Sequence, residues 1–393
     1  MHVNLVTPWY PGRHSVYSGI FVQKSVEAVR SRGVIVDVEV PTIYPAPGGP
    51  IPENIHESMA FLGREDPEAV YDDQNGARWI PAPVPARSGQ MGRARAFATA
   101  IELKRRILPP RGELTHAHLG VPTAWAAVRL GDSPLVITEH QSTLQEILRH
   151  PESRSAYREA LEASSAFICV SSFLRDLLIE AFGSLARDKI EVIPNIVDLS
   201  DLPFLRKKTT KLSAWIYVGG LMPHKGIDAL LASFAEYRTS YDPNATLTVV
   251  GDGPLRPTIE RFSSQAGIAG SVTIAGPRSH DELTGFFEGA DVLVHLSPFE
   301  TFGIATLEAI GSGLPVVSLR NGGAESTWGD LERACGLLLD NDTPPEAIAE
   351  SVAALRDDIS RLDPQAGRAM VEERFAAENV ASQIIDVYRR VIE

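Results

Sequence analysis

The sequence predicts an α/β protein built from two Rossmann-like, doubly wound halves. Three observations carry that expectation. Short apolar runs alternate with amphipathic helical stretches, the pattern occurs twice, and a polar, proline-containing segment parts the two occurrences. A chain of 393 residues has room for two such domains.

In the first half, residues 34–40, 135–138 and 166–170 read as strands, and residues 21–31 and 171–182 as helices. Residues 45–92 are rich in Pro, Gly and charge and predict a long loop with one short helix. The break falls at 198–213, where an acidic Pro-containing run meets the basic stretch 206–211. In the second half, residues 214–218, 247–250, 272–274, 292–296 and 315–319 read as strands. The helices between them begin near Ile227, Leu255, Asp281, Gly303 and Glu325. The expected domains are 1–200 and 206–375, with a last helix in 376–393.

Bulk properties exclude several classes. A net charge of −13 speaks against a general nucleic-acid binder. No apolar run approaches the roughly 18–20 residues of a membrane span, and no basic region precedes the first apolar run. The expectation is a cytoplasmic protein whose membrane contact, if any, is peripheral. Cys169 and Cys335 are expected as buried free thiols. Arg93, Arg95, Lys104, Arg105, Arg106 and Arg111 surround Phe97, Ile101, Ile107 and Leu108. That stretch reads either as a solvated face over a core stripe or as a helix lying on an anionic membrane.

The densest chemistry follows the fourth strand of the second half. Phe299-Glu300-Thr301-Phe302-Gly303-Ile304 opens a helix that carries Glu308. Free N–H groups at a helix N-terminus favour anionic ligand oxygens. Eight residues along a continuous helix separate two carboxylates by about 12 Å. A hydrolytic pair needs roughly 5–9.5 Å, so Glu300 and Glu308 read as holding two parts of one long ligand.

Glu300 and Glu308, with Ala309–Val317 and Gly322-Gly323-Ala324-Glu325, resemble the donor-binding region of family 4 retaining glycosyltransferases of the GT-B fold. The resemblance extends to Val218-Gly219-Gly220-Leu221 with Lys225-Gly226, to Val250-Gly251-Asp252-Gly253-Pro254, and to Ile193-Pro194-Asn195. It covers the second half well and the first more loosely.

The resemblance implies two facing Rossmann-like domains with a central cleft, acceptor on the first and nucleotide sugar on the second, with the last helix packing back towards the first. It implies Glu300 on hydroxyls of the donor sugar, Glu308 on the ribose, and Lys225 on the diphosphate. The amides of Phe302, Gly303 and Ile304 would meet sugar and diphosphate, Gly19 would border the diphosphate, and His140 would be the active-site histidine. Many members carry Arg at the position of Gly220, and His224 and Arg320 are candidates to supply that contact.

The implied activity is retaining transfer of a hexosyl or N-acetylhexosaminyl group. The donor is a nucleotide sugar, UDP-linked favoured, and the acceptor is a hydroxyl of a glycan, a lipid-linked sugar or a small molecule. Other readings of this scaffold are a sugar-nucleotide epimerase, a phosphorylase and a non-catalytic nucleotide-sugar-binding subunit. No tightly bound cofactor and no metal are expected. His116 and His118 have no matching third ligand, and Asp340-Asn341-Asp342 reads as the approach to a helix capped at Thr343.

Overall fold

A computed structural model describes residues 1–12, 18–44, 71–72, 76–83, 89–205 and 211–393. The chain divides into two compact units, residues 1–196 with 377–393, and residues 197–376.

Among the described residues unit 1 has eight strands: β1 (His2–Val6), β2 (Ile35–Tyr44), β3 (Tyr71–Asp72), β4 (Ala77–Pro83), β5 (Leu114–His118), β6 (Leu135–Glu139), β7 (Ala166–Cys169) and β8 (Ile190–Val192). Their order is β3-β4-β2-β1-β5-β6-β7-β8. Every pairing is parallel except β3 with β4. Strands β5, β6 and β7 are buried at every position, as befits a parallel sheet covered on both faces. The order runs outward in both directions from β1 and β5, which makes their junction the topological switch point.

Among the described residues unit 2 has six strands: β9 (Ala214–Val218), β10 (Thr246–Val250), β11 (Val272–Gly276), β12 (Val292–His295), β13 (Val316–Leu319) and β14 (Gly336–Leu339). All are parallel in the order β11-β10-β9-β12-β13-β14, so the switch point lies between β9 and β12.

Local chemistry explains where helices start. Ser171 accepts from the Leu174 amide at 3.3 Å and opens Ser172–Phe182. Ser279 and Glu282 form a capping box at the head of His280–Gly289. The helix after Asp340–Asp342 begins at Pro345 with Pro344 as its N-cap, one residue later than the Thr343 cap expected. Thr343 instead donates its amide to Asp340 O at 3.0 Å.

Two stretches differ from the sequence reading. Part of the expected loop 45–92 lies outside the described residues, but Ala77–Pro83 is a strand and Gln90 begins a helix that runs to Ile107. Pro81 and Pro83 had disguised the strand. The structure tolerates them because β4's outer neighbour, β3, pairs only with Ala77 and Arg78. The expected linker is laid on unit 2 over its described residues. Leu202 and Leu212 are fully buried, and Leu205 donates its amide to Ser312 O at 2.9 Å.

The last helix, Ala377–Ile392, buries Val380, Ala381, Ile384, Ile385, Val387 and Tyr388, the i, i+4 stripe of an amphipathic helix. These join Val3, Leu5, Val22, Val26 and Val29 in the core of unit 1. Unit 2 has its own core, around Trp215, Phe234 and Tyr237. Among the described residues no helix is long and apolar enough to cross a membrane. Of the basic stretch, Lys104 is buried, and Arg105 turns its largely enclosed side chain onto Glu39 and Asp132. Arg95 and Arg106 pair with Glu152 and Glu102. That helix therefore turns Lys104 and Arg105 into unit 1 and leaves Arg93, Arg95 and Arg106 exposed.

Candidate functional site

In unit 2 the candidate residues gather at the carboxyl ends of β9 and β12, the flanks of the switch point. After β9 the chain makes a short 3₁₀ turn, Pro223–Lys225, and enters the helix Ile227–Ser240. The turn is stitched to β12's exit, since Ser297 Oγ donates to His224 O at 3.2 Å. The stitch brings Lys225 Nζ to 2.6 Å from Glu300 Oε1.

Glu300 is held on its other side by the loop after β13. Its amide donates to Asn321 O at 3.0 Å, and it forms a parallel bridge with Gly322. A Cβ at Gly323 would stand 2.8 Å from Phe302 N and 3.1 Å from the Glu300 Cβ, so the Gly322-Gly323 pair is the bed on which this loop lies. His295 Nε2 is 3.7 Å from Glu300 Oε1 and its ring stacks on Tyr217. Burial alone would raise the Glu300 carboxyl, but Lys225, His295 and a hydrogen bond from Ser297 outweigh it and hold the group below the usual carboxylate range. Burial and the Lys225 cation lower His224, so it is neutral near pH 7.

Gly303 starts the helix Ile304–Gly311 from the left-handed conformation, φ +89° and ψ +57°. Glycine takes that geometry without steric cost. Thr306 Oγ1 caps the turn by donating to Gly303 O at 2.7 Å. Among the described residues the N–H groups of Phe302, Gly303 and Ile304 meet no acceptor. The Phe302 ring is buried edge-on against Phe375. Glu308, on the same helix, is buried with its Oε1 3.3 Å from His280 Nε2. The two glutamates thus have separate partner sets. Gly220 is exposed, and a Cβ there would meet only Met222 Cγ, at 3.6 Å, so the position has room for a side chain. Arg320 is engaged by Glu332 at 2.9 Å and Asp340 at 3.6 Å. Neither it nor neutral His224 is a free cation to stand in for an arginine at 220.

In unit 1 the candidates sit at the ends of β1, β5 and β6. Gly19 precedes the helix Ile20–Arg30 at φ +73°, and a Cβ there would lie 2.2 Å from Trp9 O, which only glycine avoids. His140 follows β6. Its Nε2 shares a 2.8 Å hydrogen bond with His118 Nδ1, and the Phe21 ring lies 4.8 Å from its own. His116 reaches Tyr388 Oη at 2.6 Å and Thr138 Oγ1 at 2.7 Å. The His116–His118 pair is therefore wired into a polar array. Among the described residues no group of three or more His, Cys, Asp or Glu could hold a metal ion. Burial lowers all three imidazoles, His116 and His140 to about 3, with Asn195 partly offsetting the fall at His140.

Sequence reasoning passed over Glu139. Its buried carboxylate accepts from the amides of Gly120, His140 and Gln141 at 3.0, 2.8 and 2.7 Å and from Tyr157 Oη at 2.5 Å. Burial raises its pKa against the pull of those four bonds. His118, His280 and His295 were also missed as partners. The usable signal was position, since Glu139 and His295 end strands at the sheet edge where α/β proteins bind ligands.

Residues 19–201 match the family described as Glycosyltransferase Family 4, and residues 202–366 the family described as Glycosyl transferases group 1. The GDP-mannose-dependent α-(1-6)-phosphatidylinositol monomannoside mannosyltransferase of Mycobacterium tuberculosis is 29% identical over 257 residues, 61% of this chain and 65% of that protein. The match thus spans just under two thirds of that relative's length. Sucrose-phosphate synthase from Thermosynechococcus elongatus has the same fold, with a TM-score of 0.76 at 20% identity over 99% of this chain and 98% of that one. Anabaena HepE in complex with UDP-glucose gives a TM-score of 0.70 at 17% identity over 99% and 100%. With both halves matched and both sheets doubly wound, the chain belongs to glycosyltransferase family 4 and has its GT-B fold.

Proposed function

We propose that this protein transfers a sugar, with retention at the anomeric carbon, from a nucleoside-diphosphate sugar on unit 2 to a hydroxyl of an acceptor on unit 1. The observation that carries the reading is the Lys225–Glu300 pair, 2.6 Å, beside the N-terminus of Ile304–Gly311 and its three amides without an acceptor. Anionic oxygens are what such a cation and such amides bind. An arriving diphosphate competes for Lys225 Nζ and releases Glu300, an acceptor-only carboxylate, to sugar hydroxyls. Glu308 is the ribose ligand, His140 lies against the donor sugar, and Gly19 lets the backbone approach the diphosphate.

In the reaction the acceptor oxygen bonds to the anomeric carbon on the face the diphosphate leaves. The bond from that carbon to the phosphate oxygen breaks, and the acceptor proton passes to the departing oxygen. Charge grows on the phosphate as the bond breaks, so Lys225 and the amides of Phe302, Gly303 and Ile304 bind the transition state more strongly than the ground state. No metal is assigned, because the cation at the diphosphate is supplied by the protein.

The relatives leave the base open, one being GDP-mannose-dependent and another solved with UDP-glucose. We favour uridine. A thermal-shift panel of UDP, GDP, ADP and their glucose, mannose and N-acetylglucosamine conjugates tests the reading, since a ligand that binds only the folded state raises the melting temperature. UDP and at least one UDP-sugar are expected to raise it. No shift with any member would overturn the donor assignment. Epimerised donor in the absence of acceptor would replace transfer with epimerisation.

A further inference from the structure

Unit 1 contains a cavity of about 560 Å³ at the carboxyl ends of β1, β2, β5 and β6, over its switch point. The volume suits one compact organic molecule. Six of its lining residues are buried: Pro41, Phe97, Leu119, Pro122, Ile147 and Gln141. Five are apolar. The sixth, Gln141, is 5% exposed, and its Oε1 is buried with no hydrogen-bond partner among the described residues. Its amide is fixed to Glu139 Oε1 at 2.7 Å, so the side chain is anchored by its own backbone. Of the other charged and polar lining groups, Arg93, Thr143, Glu146 and His150 are exposed and stand at the rim, and Thr42 and Gln90 are half-buried. Leu119 is held at φ +79°, a conformation costly for a branched side chain and one that persists where function requires it.

A floor of this kind selects its occupant. An unbranched or branched oligosaccharide brings hydroxyls on every side, and each one buried against Phe97, Pro122 or Ile147 would lose its water without a partner. An apolar ring or short hydrocarbon body loses nothing there. One inward O–H has one waiting acceptor, Gln141 Oε1. We propose that the acceptor seated on unit 1 is a small amphipathic alcohol, with an apolar body on the Phe97–Ile147 floor and one hydroxyl donating to Gln141, and not a glycan chain. This rests on the reading of unit 1 as the acceptor unit.

The test uses the full chain and three probes: 2-naphthol, its hydroxyl-masked analogue 2-methoxynaphthalene, and maltotriose. Binding is read by calorimetry. Transfer is read by mass spectrometry with the donor found in the nucleotide panel. Two variants are used. Gln141→Leu keeps the volume and removes the acceptor atom, and Thr143→Trp fills the cavity from an exposed rim position with little risk to the core. Wild type should bind 2-naphthol at least several-fold more tightly than the masked analogue. Gln141→Leu should weaken 2-naphthol about tenfold, the worth of one hydrogen bond, and leave the masked analogue unchanged. Because the leucine removes an unpartnered buried polar atom, the melting temperature should hold or rise. A structural glutamine would instead lower it, and that result overturns the assignment. Thr143→Trp should abolish binding of both naphthalenes. If maltotriose binds, is transferred to, and is blocked by Thr143→Trp, the acceptor unit stands and the amphipathic class falls. If neither variant alters transfer to the best acceptor found, the reading of unit 1 itself falls.

Discussion

Lys225 and Glu300 have two jobs, and the geometry lets them be separated. The pair is largely out of water, with side chains 20% and 10% exposed. Removing one partner of such a pair strands the other, at a cost of roughly 3–5 kcal/mol. Lys225→Ala should therefore lose both stability and transfer, and the loss of transfer alone would say nothing about the diphosphate. The double variant Lys225→Ala with Glu300→Gln removes the stranded charge. It should recover most of the melting temperature while transfer falls orders of magnitude below that of Glu300→Gln alone, because no cation remains for the leaving phosphate. Transfer equal to that of Glu300→Gln alone would show that Lys225 only neutralises Glu300. Glu300→Gln alone should lower turnover and spare affinity for the sugar-free nucleotide, whereas Glu308→Ala should weaken nucleotide and donor alike. Calorimetry with the nucleoside diphosphate decides between them, and equal losses in the two variants would put both carboxylates on the same part of the ligand.

At the scale of elements, the strand ends of unit 1 make the fold sensitive to acid. Burial holds His116 and His140 at about 3 and His118 well below its ordinary value. Between pH 6.5 and 3 the unfolded chain takes up protons that the folded chain refuses, so stability is intact above 6.5 and falls as the pH drops. One histidine displaced that far is worth at most about 4–5 kcal/mol over the whole window. The raised carboxyl of Glu139 works in the opposite sense, its contribution growing towards acid. The histidines outnumber it, so the melting temperature should fall by at least about 5 °C from pH 6.5 to 4.5. His116→Asn should flatten that slope, and a profile as steep in the variant would remove His116 from the account. Elements such as β6, β7 and β12 were readable because a parallel strand buried on both faces is a continuous apolar run. β4 was not, since its prolines mimic a loop and only its neighbours in the sheet explain them. The site divided in the same way. Gly303 and Gly19 carry a backbone requirement that shows in the residue type, while the pairing of Glu308 with His280 joins residues from different elements and becomes visible only in the fold.

At the scale of the whole chain, the two units draw on sequence unequally. Unit 2 is one continuous stretch, whereas unit 1 is completed by the last 17 residues. The helix Ala377–Ile392 gives that unit six buried side chains and the Tyr388 hydroxyl bonded to His116 at 2.6 Å. Burying four aliphatic side chains and a tyrosine contributes on the order of 10 kcal/mol. That is comparable with the entire 5–15 kcal/mol by which a domain of this kind outlasts its unfolded state. Deleting 377–393 should therefore unfold unit 1, not merely loosen it, and would take the Tyr388 hydroxyl away from the buried ring of His116. The core of unit 2 contains none of these residues, so its strands have no reason to open. Hydrogen exchange on the truncated chain should show β1–β8 unprotected and β9–β14 still protected, with nucleoside diphosphate still bound by unit 2, more weakly for want of the contact at Gly19, and transfer abolished. Protection retained in β1 and β5 after the deletion would mean that the cluster around Val3, Leu5 and Val22 closes without the helix, and that the last segment serves something other than the core of unit 1.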